Sequence, residues 1–253
     1  MNCLNIKIQF QTITMTTSTS NTSITFVSCY YPVTNKHKTD DFHKWFKNTL
    51  SINAPYVFFA PADVIPLIRS FRKELPTHYI EYNLSDFYTQ KYKHKMITHP
   101  THCPSVDLNL IWNEKIYMIQ KASEINPFNS DWFHWVDAGL CVYRTEAPPV
   151  TGINTTTLQY LPTNKFVYSQ SLPFSASRIT NTNYYHHVSG TYIIHKQFID
   201  SYVALYTQYM DTLVDTRNIW TDQVIHTHIL RDHPEMFFKL CNGYGTITKF
   251  LLS

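Results

Sequence analysis

The segment Trp132-Phe133-His134-Trp135-Val136-Asp137-Ala138-Gly139 constrains the fold of this chain more than any other. Its aromatic and apolar residues run on without the polar alternation of a half-exposed strand, and an acid followed by two small residues closes it. That is how a strand buried on both faces of a parallel sheet reads when it delivers one carboxylate to the carboxyl edge and then turns sharply, leaving backbone open to a ligand. Glycine is scarce, five in 253 residues, so the placement of Gly139 is informative. Gly190, in Val188-Ser189-Gly190-Thr191-Tyr192, and Gly243 and Gly245, in Asn242-Gly243-Tyr244-Gly245, mark other points of turning or close approach.

Around this segment, short apolar runs alternate with stretches of helical spacing. Ile24–Cys29, Tyr56–Ala60 and Thr77–Tyr82 read as strands. Between them, Asp40–Leu50 behind a Thr39/Asp40 cap and Ala62–Leu75 read as helices. A long helix over Val106–Ile125 leads into the Trp132–Asp137 strand. Beyond Pro148, Phe166–Ser169 and Val188–His195 read as strands, and Gln197–Val214 and Asn218–Arg231 as helices. The alternation implies an α/β fold with a central, mainly parallel sheet flanked by helices, in which ligands gather at the carboxyl ends of the strands. Residues 24–253 are expected to form one domain, preceded by an irregular, Thr/Ser/Asn-rich segment over 1–23.

Composition narrows the function. A formal charge of +3, spread over interspersed Lys, Arg, Asp and Glu, offers no basic stripe for nucleic acid. The five cysteines are widely spaced and lack a CxxC pair, so they read as reduced thiols in a cytoplasmic protein. Neither a signal peptide nor an apolar stretch of ~20 residues is apparent. The Asn, Tyr, Lys and Ile richness suits an AT-rich genome such as that of a large DNA virus, which would place the protein in the host cytoplasm.

No GxGxxG or GxxxxGKS motif is present, which closes the usual dinucleotide and P-loop routes. The histidines invite a zinc reading, but His226 and His228 stand two apart on a helix and point about 200° away from each other. No GxSxG elbow supports a hydrolase.

Three motifs, Trp112-Asn113-Glu114-Lys115, Asn126-Pro127-Phe128-Asn129-Ser130 and Phe133-His134-Trp135-Val136-Asp137-Ala138-Gly139, resemble the HtrL/YibB family, a GT-A-like group of glycosyltransferases. Trp220-Thr221-Asp222-Gln223 is similar to the Asp-Gln element of glycogenin-like retaining transferases, and Ser189-Gly190-Thr191 to the small-residue strand beneath their donor sugar. In GT-A enzymes the equivalent strand ends in Asp-x-Asp, which holds a divalent metal. Here Asp137 supplies the first acid and Gly139 stands where the second would be.

The resemblance implies a glycosyltransferase that moves a monosaccharide from a nucleoside diphosphate sugar, a UDP-sugar first, to a hydroxyl of a glycan or protein acceptor. It implies Mn²⁺ or Mg²⁺ on Asp137, phosphate pairing by Lys115, a sugar-pocket floor of Ser189 and Gly190, and catalytic roles for Asp222 and Gln223. Ala138 and Gly139 would lie along the donor. By position at strand ends, Ser28, Cys29 and Tyr30 are expected at the base and ribose, and Asp63 after the second strand. Asn242 and Gly243 would bring backbone amides to the diphosphate. The missing second acid keeps a non-catalytic sugar-nucleotide or glycan-binding protein as the alternative.

Overall fold

The structure, a computed structural model, describes residues 23–216 and 221–253. The expected N-terminal segment, apart from Ser23, lies outside the described residues, as does Trp220 of the Asp-Gln element.

Among the described residues, seven strands form one sheet: β1 Ile24–Cys29, β2 Tyr56–Ala60, β3 Thr77–Glu81, β4 Trp132–Trp135, β5 Phe166–Gln170, β6 Val188–His195 and β7 Phe237–Asn242, in the order β3-β2-β1-β4-β6-β5-β7. β1 pairs in parallel with β2 and β4, β2 with β3, and β5 with β7. β6 runs antiparallel to both its neighbours, β4 and β5. The expected mainly parallel α/β architecture is what the chain adopts.

Helices cover both faces because the central strands are apolar on both sides. Period-two alternation sorts the side chains. Val27, Val57, Phe59 and Phe133 face one core with α3 (Val106–Ile125), α4 (Lys196–Leu213) and α5 (Asp222–Asp232). Phe26, Tyr56, Phe58 and Trp132 face the other with α1 (Thr39–Thr49), α2 (Ile65–Arg72) and α6 (Thr246–Leu251).

Several boundaries differ from the sequence reading for identifiable reasons. The N-cap of α1 is Lys38, without a side-chain cap bond; Asp40 and Asp41 lie in the first turn, where the helix dipole favours acids. α2 is shorter than Ala62–Leu75. Pro66 sits in its first turn, and Lys73 leaves the helix with φ +52°. The Arg72 guanidinium, fully buried there, donates to the carbonyls of Leu50 (2.9 Å), Ile52 (2.9 Å), Ala54 (2.8 Å) and Pro76 (3.1 Å) and stacks 4.0 Å over the Tyr56 ring. Two elements are additional to those expected: the edge strand β7 and the six-residue α6. Among the described residues no helix is long and apolar enough to cross a membrane.

Candidate active site

The chain order reverses between β1 and β4. From β1 it moves outward to β2 and β3, then returns through α3 to enter the sheet at β4, on the other side of β1. Such a switch point opens a crevice at the carboxyl ends of the two strands. The Val136 amide donates to the Val27 carbonyl at 3.0 Å, carrying the pairing one residue past β4, so Asp137 emerges at that crevice. Trp135 Nε1 donates to Asp137 Oδ1 at 3.0 Å and fixes the carboxylate.

The turn that follows needs its glycine for space. A Cβ at Gly139 would lie 2.9 Å from the Trp45 ring and 3.3 Å from Phe42, both on α1. The Gly139 carbonyl accepts from Arg144 Nε at 3.2 Å, and that guanidinium stacks 3.8 Å over Trp45.

Lys115 comes from the middle of α3, capped by the Ser105 side chain and buried over most of its length. Its neighbour Glu114 is held by Tyr82 Oη (2.9 Å), the Tyr88 amide (3.0 Å) and the Thr89 amide (3.0 Å) and hydroxyl (2.8 Å), which pins the 3₁₀ segment Tyr88–Lys95 over the helix. One position on, Lys115 Nζ lies 3.2 Å from Asp137 Oδ1 and 3.1 Å from Asp222 Oδ2, with the Trp135 ring 5.6 Å away. Burial works against the ammonium, but Asp137 and Asp222 more than offset it and hold its pKa above the ordinary lysine value. The site lysine is charged.

Asp222 opens α5 and is 3% exposed. Burial pushes its pKa up to about 6, with Lys115 acting in the opposite direction and Asp137 reinforcing the rise. Its neighbour Gln223 donates from Nε2 to Tyr244 Oη at 2.8 Å. Gly190, on β6, lies beneath the group: a Cβ there would come within 3.3 Å of Lys115 Nζ, 3.7 Å of Gln223 Cδ and 3.8 Å of Asp222 Oδ2. A side chain there would crowd the Lys115 ammonium and make ordinary contact with the other two.

These residues line a cleft of about 520 Å³, within the range of small-molecule sites. Of the positions expected from sequence, the cleft brings together Cys29, Tyr30, Lys115, Asp137, Ala138, Gly139, Gly190, Asp222 and Gln223. The others sit elsewhere. Ser28 is fully buried in the sheet, and Asp63 is exposed in the turn after β2. The Ser189 hydroxyl bonds to Ser169 and to the Thr191 carbonyl. Asn242 ends β7, and the Gly243 amide donates to the Gln170 carbonyl at 2.7 Å, so that amide faces the sheet edge. Burial raises the Cys29 thiol far above its usual range, so it stays protonated.

Sequence reasoning missed both walls of the cleft. One carries Lys36, His37 and Arg144, with the Lys36 ammonium 5.9 Å over Trp112. The other is a chain of rings: His102 stacks on Tyr184 at 5.0 Å, Tyr184 meets His186 at 5.5 Å, and His186 meets Tyr244 at 5.9 Å. Most of these residues lie on irregular segments, where no periodicity marks them.

A family model described as a bacterial protein of unknown function, HtrL/YibB, matches residues 76–245. The chain belongs to the HtrL/YibB family. The matched region takes in α3, β4, β6, the start of α5 and Tyr244, hence Lys115, Asp137, Gly190 and Asp222 together.

Among solved structures, the chain is similar to core-mannan synthase A of Aspergillus fumigatus in a Mn/GDP form, with TM-score 0.53 and 8% identity over 89% of this chain and 74% of that one. It is also similar to the glycosyltransferase GlyE of Streptococcus pneumoniae, with TM-score 0.44 and 11% identity over 87% of this chain and 45% of that one. At 8% identity the likeness to core-mannan synthase A is one of fold, an α/β fold of the GT-A type. No curated protein matches the chain.

The fold implies a divalent cation beside Asp137, and the side chains present do not fit one held by the protein. Among the described residues no three His, Cys, Asp or Glu side chains converge on a point. Asp137 Oδ1 is engaged by Trp135 Nε1 and by the Lys115 ammonium, and Gly139 contributes no second carboxylate. A hard cation seeks several oxygen ligands, and here the Lys115 ammonium already stands on both carboxylates of the cleft, Asp137 and Asp222.

Proposed function

We propose that this protein is a glycosyltransferase that moves a monosaccharide from a nucleoside diphosphate sugar to an acceptor hydroxyl. The observation that carries the reading is the Lys115 ammonium set between Asp137 and Asp222 in the cleft at the β1/β4 switch point. Of the two acids, Asp137 is half-exposed and stays with the donor. Asp222, over Gly190, faces the transferred sugar and the acceptor.

In the transfer, the bond between the sugar's anomeric carbon and the diphosphate oxygen breaks, and its electron pair leaves with the diphosphate. The acceptor oxygen forms the new bond to that carbon and gives up its proton. Lys115 sits where negative charge grows on the leaving group, and a fixed charge there costs no reorganisation during reaction. With a pKa of about 6, Asp222 is ionised at neutral pH and suited to take the acceptor's proton if configuration inverts. If configuration is retained, the departing diphosphate oxygen takes the acceptor's proton and Asp222 supports the developing positive charge on the sugar. Gln223, bonded to Tyr244, orients sugar and acceptor. The Mn²⁺ or Mg²⁺ suggested by resemblance has one candidate ligand, Asp137, and no step is assigned to it. The same reading takes residues 24–253 as one domain working in the reducing cytoplasm, in keeping with free thiols at Cys29, Cys103 and Cys141.

The test is donor turnover. UDP-, GDP- and TDP-sugars are incubated with the protein and a panel of sugar acceptors, and nucleoside diphosphate release is measured. One donor should be consumed, and Asp222→Asn should lower turnover by about 10²–10⁴-fold with donor affinity retained. Donor binding without turnover in every combination would move the protein to the sugar-nucleotide-binding alternative.

A further inference from the structure

A nucleoside diphosphate brings several negative charges into its site, and an enzyme must meet them with a cation. In this cleft the protein already holds three. Lys115 lies at the floor, 3.2 Å from Asp137 Oδ1 and 3.1 Å from Asp222 Oδ2. Arg144 is fixed at the mouth by its bond to the Gly139 carbonyl and its stack on Trp45. Lys36 stands over Trp112 on the same wall. Neither Lys36 nor Arg144 has a carboxylate within ion-pair distance among the described residues. Among the described residues the three cations face two carboxylates, leaving the cleft with a positive surplus.

The three cations act on one another across the cleft they line. Burial lowers the Lys36 pKa, and Arg144 and Lys115 lower it further while Asp137 acts in the opposite direction. Like charges brought together without their own partners call for an anion between them. At the same point the fold's usual cation site is compromised: one carboxylate, already holding an ammonium, and a glycine where a second acid would stand.

We propose that Lys115, Lys36 and Arg144 together meet the charge of the donor's diphosphate, so that this chain binds its nucleoside diphosphate without a divalent cation. The inference rests on the glycosyltransferase reading and specifies how that site handles its substrate. Arg144 has a planar fork for two phosphate oxygens, Lys36 gives a mobile point charge at the entrance, and Lys115 gives a fixed one at the floor.

The experiment is calorimetric titration of the full chain with UDP, GDP and TDP, each in EDTA and in Mn²⁺. One of the three nucleotides should bind in EDTA, and Mn²⁺ should change its affinity by less than about threefold. Lys36→Ala combined with Arg144→Ala, the rim variant, should weaken binding in EDTA by about tenfold or more, with circular dichroism checking that loss of the Arg144 contacts to Gly139 and Trp45 leaves the fold intact. Lys115→Met should weaken it as well, with circular dichroism reporting whether the fold survives; the rim variant carries the test if it does not. Binding that appears only with Mn²⁺ overturns the inference and leaves the glycosyltransferase reading standing. Binding in EDTA that the rim variant leaves unchanged also overturns it. Absence of binding to all three nucleotides, with or without Mn²⁺, overturns both.

Discussion

Replacing Lys115 by methionine keeps most of the side-chain volume and removes the charge, which isolates the ion pair at the centre of the cleft. The two carboxylates it leaves behind differ in their access to water: the Asp137 side chain is 51% exposed and that of Asp222 4%. Asp137 can be hydrated after the change, and Asp222 cannot. Removing one partner of a buried pair costs about 3–5 kcal/mol, and here a proton on Asp222 can relieve that cost. Burial already raises the Asp222 pKa from 3.8 to about 6 against the pull of Lys115; without the ammonium it rises further. A carboxyl whose folded pKa lies above its unfolded value binds more protons when folded, so stability falls as pH rises between the two values, by about 1.4 kcal/mol per pH unit. In the native chain this loss is complete by about pH 6, whereas in the variant it continues upward. The deficit of Lys115→Met should therefore be small at about pH 5.5 and grow by up to about 3 kcal/mol by about pH 8. Urea unfolding at several pH values measures it, and adding Asp222→Asn should remove most of the pH dependence. A deficit equal at both ends of the range, or untouched by Asp222→Asn, would refute the buried-pair account.

Other substitutions probe the scaffold and the floor of the site. Arg72→Met removes the guanidinium from four carbonyls, of which Ile52 and Pro76 keep the Ala54 and Tyr56 amides, and should cost about 3–5 kcal/mol in urea unfolding; a loss under about 1 kcal/mol would mean that water replaces the guanidinium. Gly190→Ala places a methyl 3.3 Å from the Lys115 ammonium, which two carboxylates hold in place. It should cost about 1–3 kcal/mol and impair nucleotide binding, and unchanged values in both would show that the floor has room to spare. The thiol-reactive reagent test is simpler: Cys29, with its pKa raised by burial, should react far more slowly than a free thiol at neutral pH.

Much of the sheet was legible because its central strands leave little choice. Ile24–Cys29 and Tyr56–Ala60 are apolar on both faces and short, and a parallel sheet sandwiched between helices accounts for both properties. β7 escaped because it lies at the edge: Phe237 is buried, but Phe238 and Lys239 are exposed, so no run of core residues announces it. α6 has six residues, too few for helical periodicity to register.

The site was legible only where backbone constraint left a mark. Asp137 and Gly139 show themselves because an aromatic strand ends in an acid and a glycine, and Gly190 because glycine is rare inside a strand. Lys115 leaves no such mark. A lysine in a helix is ordinarily a solvated residue, and periodicity cannot single it out in α3, where burial extends from Leu108 through Ile119 around nearly the whole circumference, with Trp112 partly buried. Resemblance to the family pointed to it; its partners emerge only once β4 and the start of α5, 85 residues apart between Asp137 and Asp222, meet at one sheet edge. Lys36 and Arg144 are harder still, since loops fix them through Trp112, Trp45 and a single carbonyl. The cations of this cleft thus come from a helix interior and two loops, the places where sequence pattern carries least about side-chain direction. The carboxylates come from a strand end and a helix start, where it carries most. A reading of the sequence alone therefore sees the acids first and looks for a metal to balance them, when the balancing charge is already in the chain.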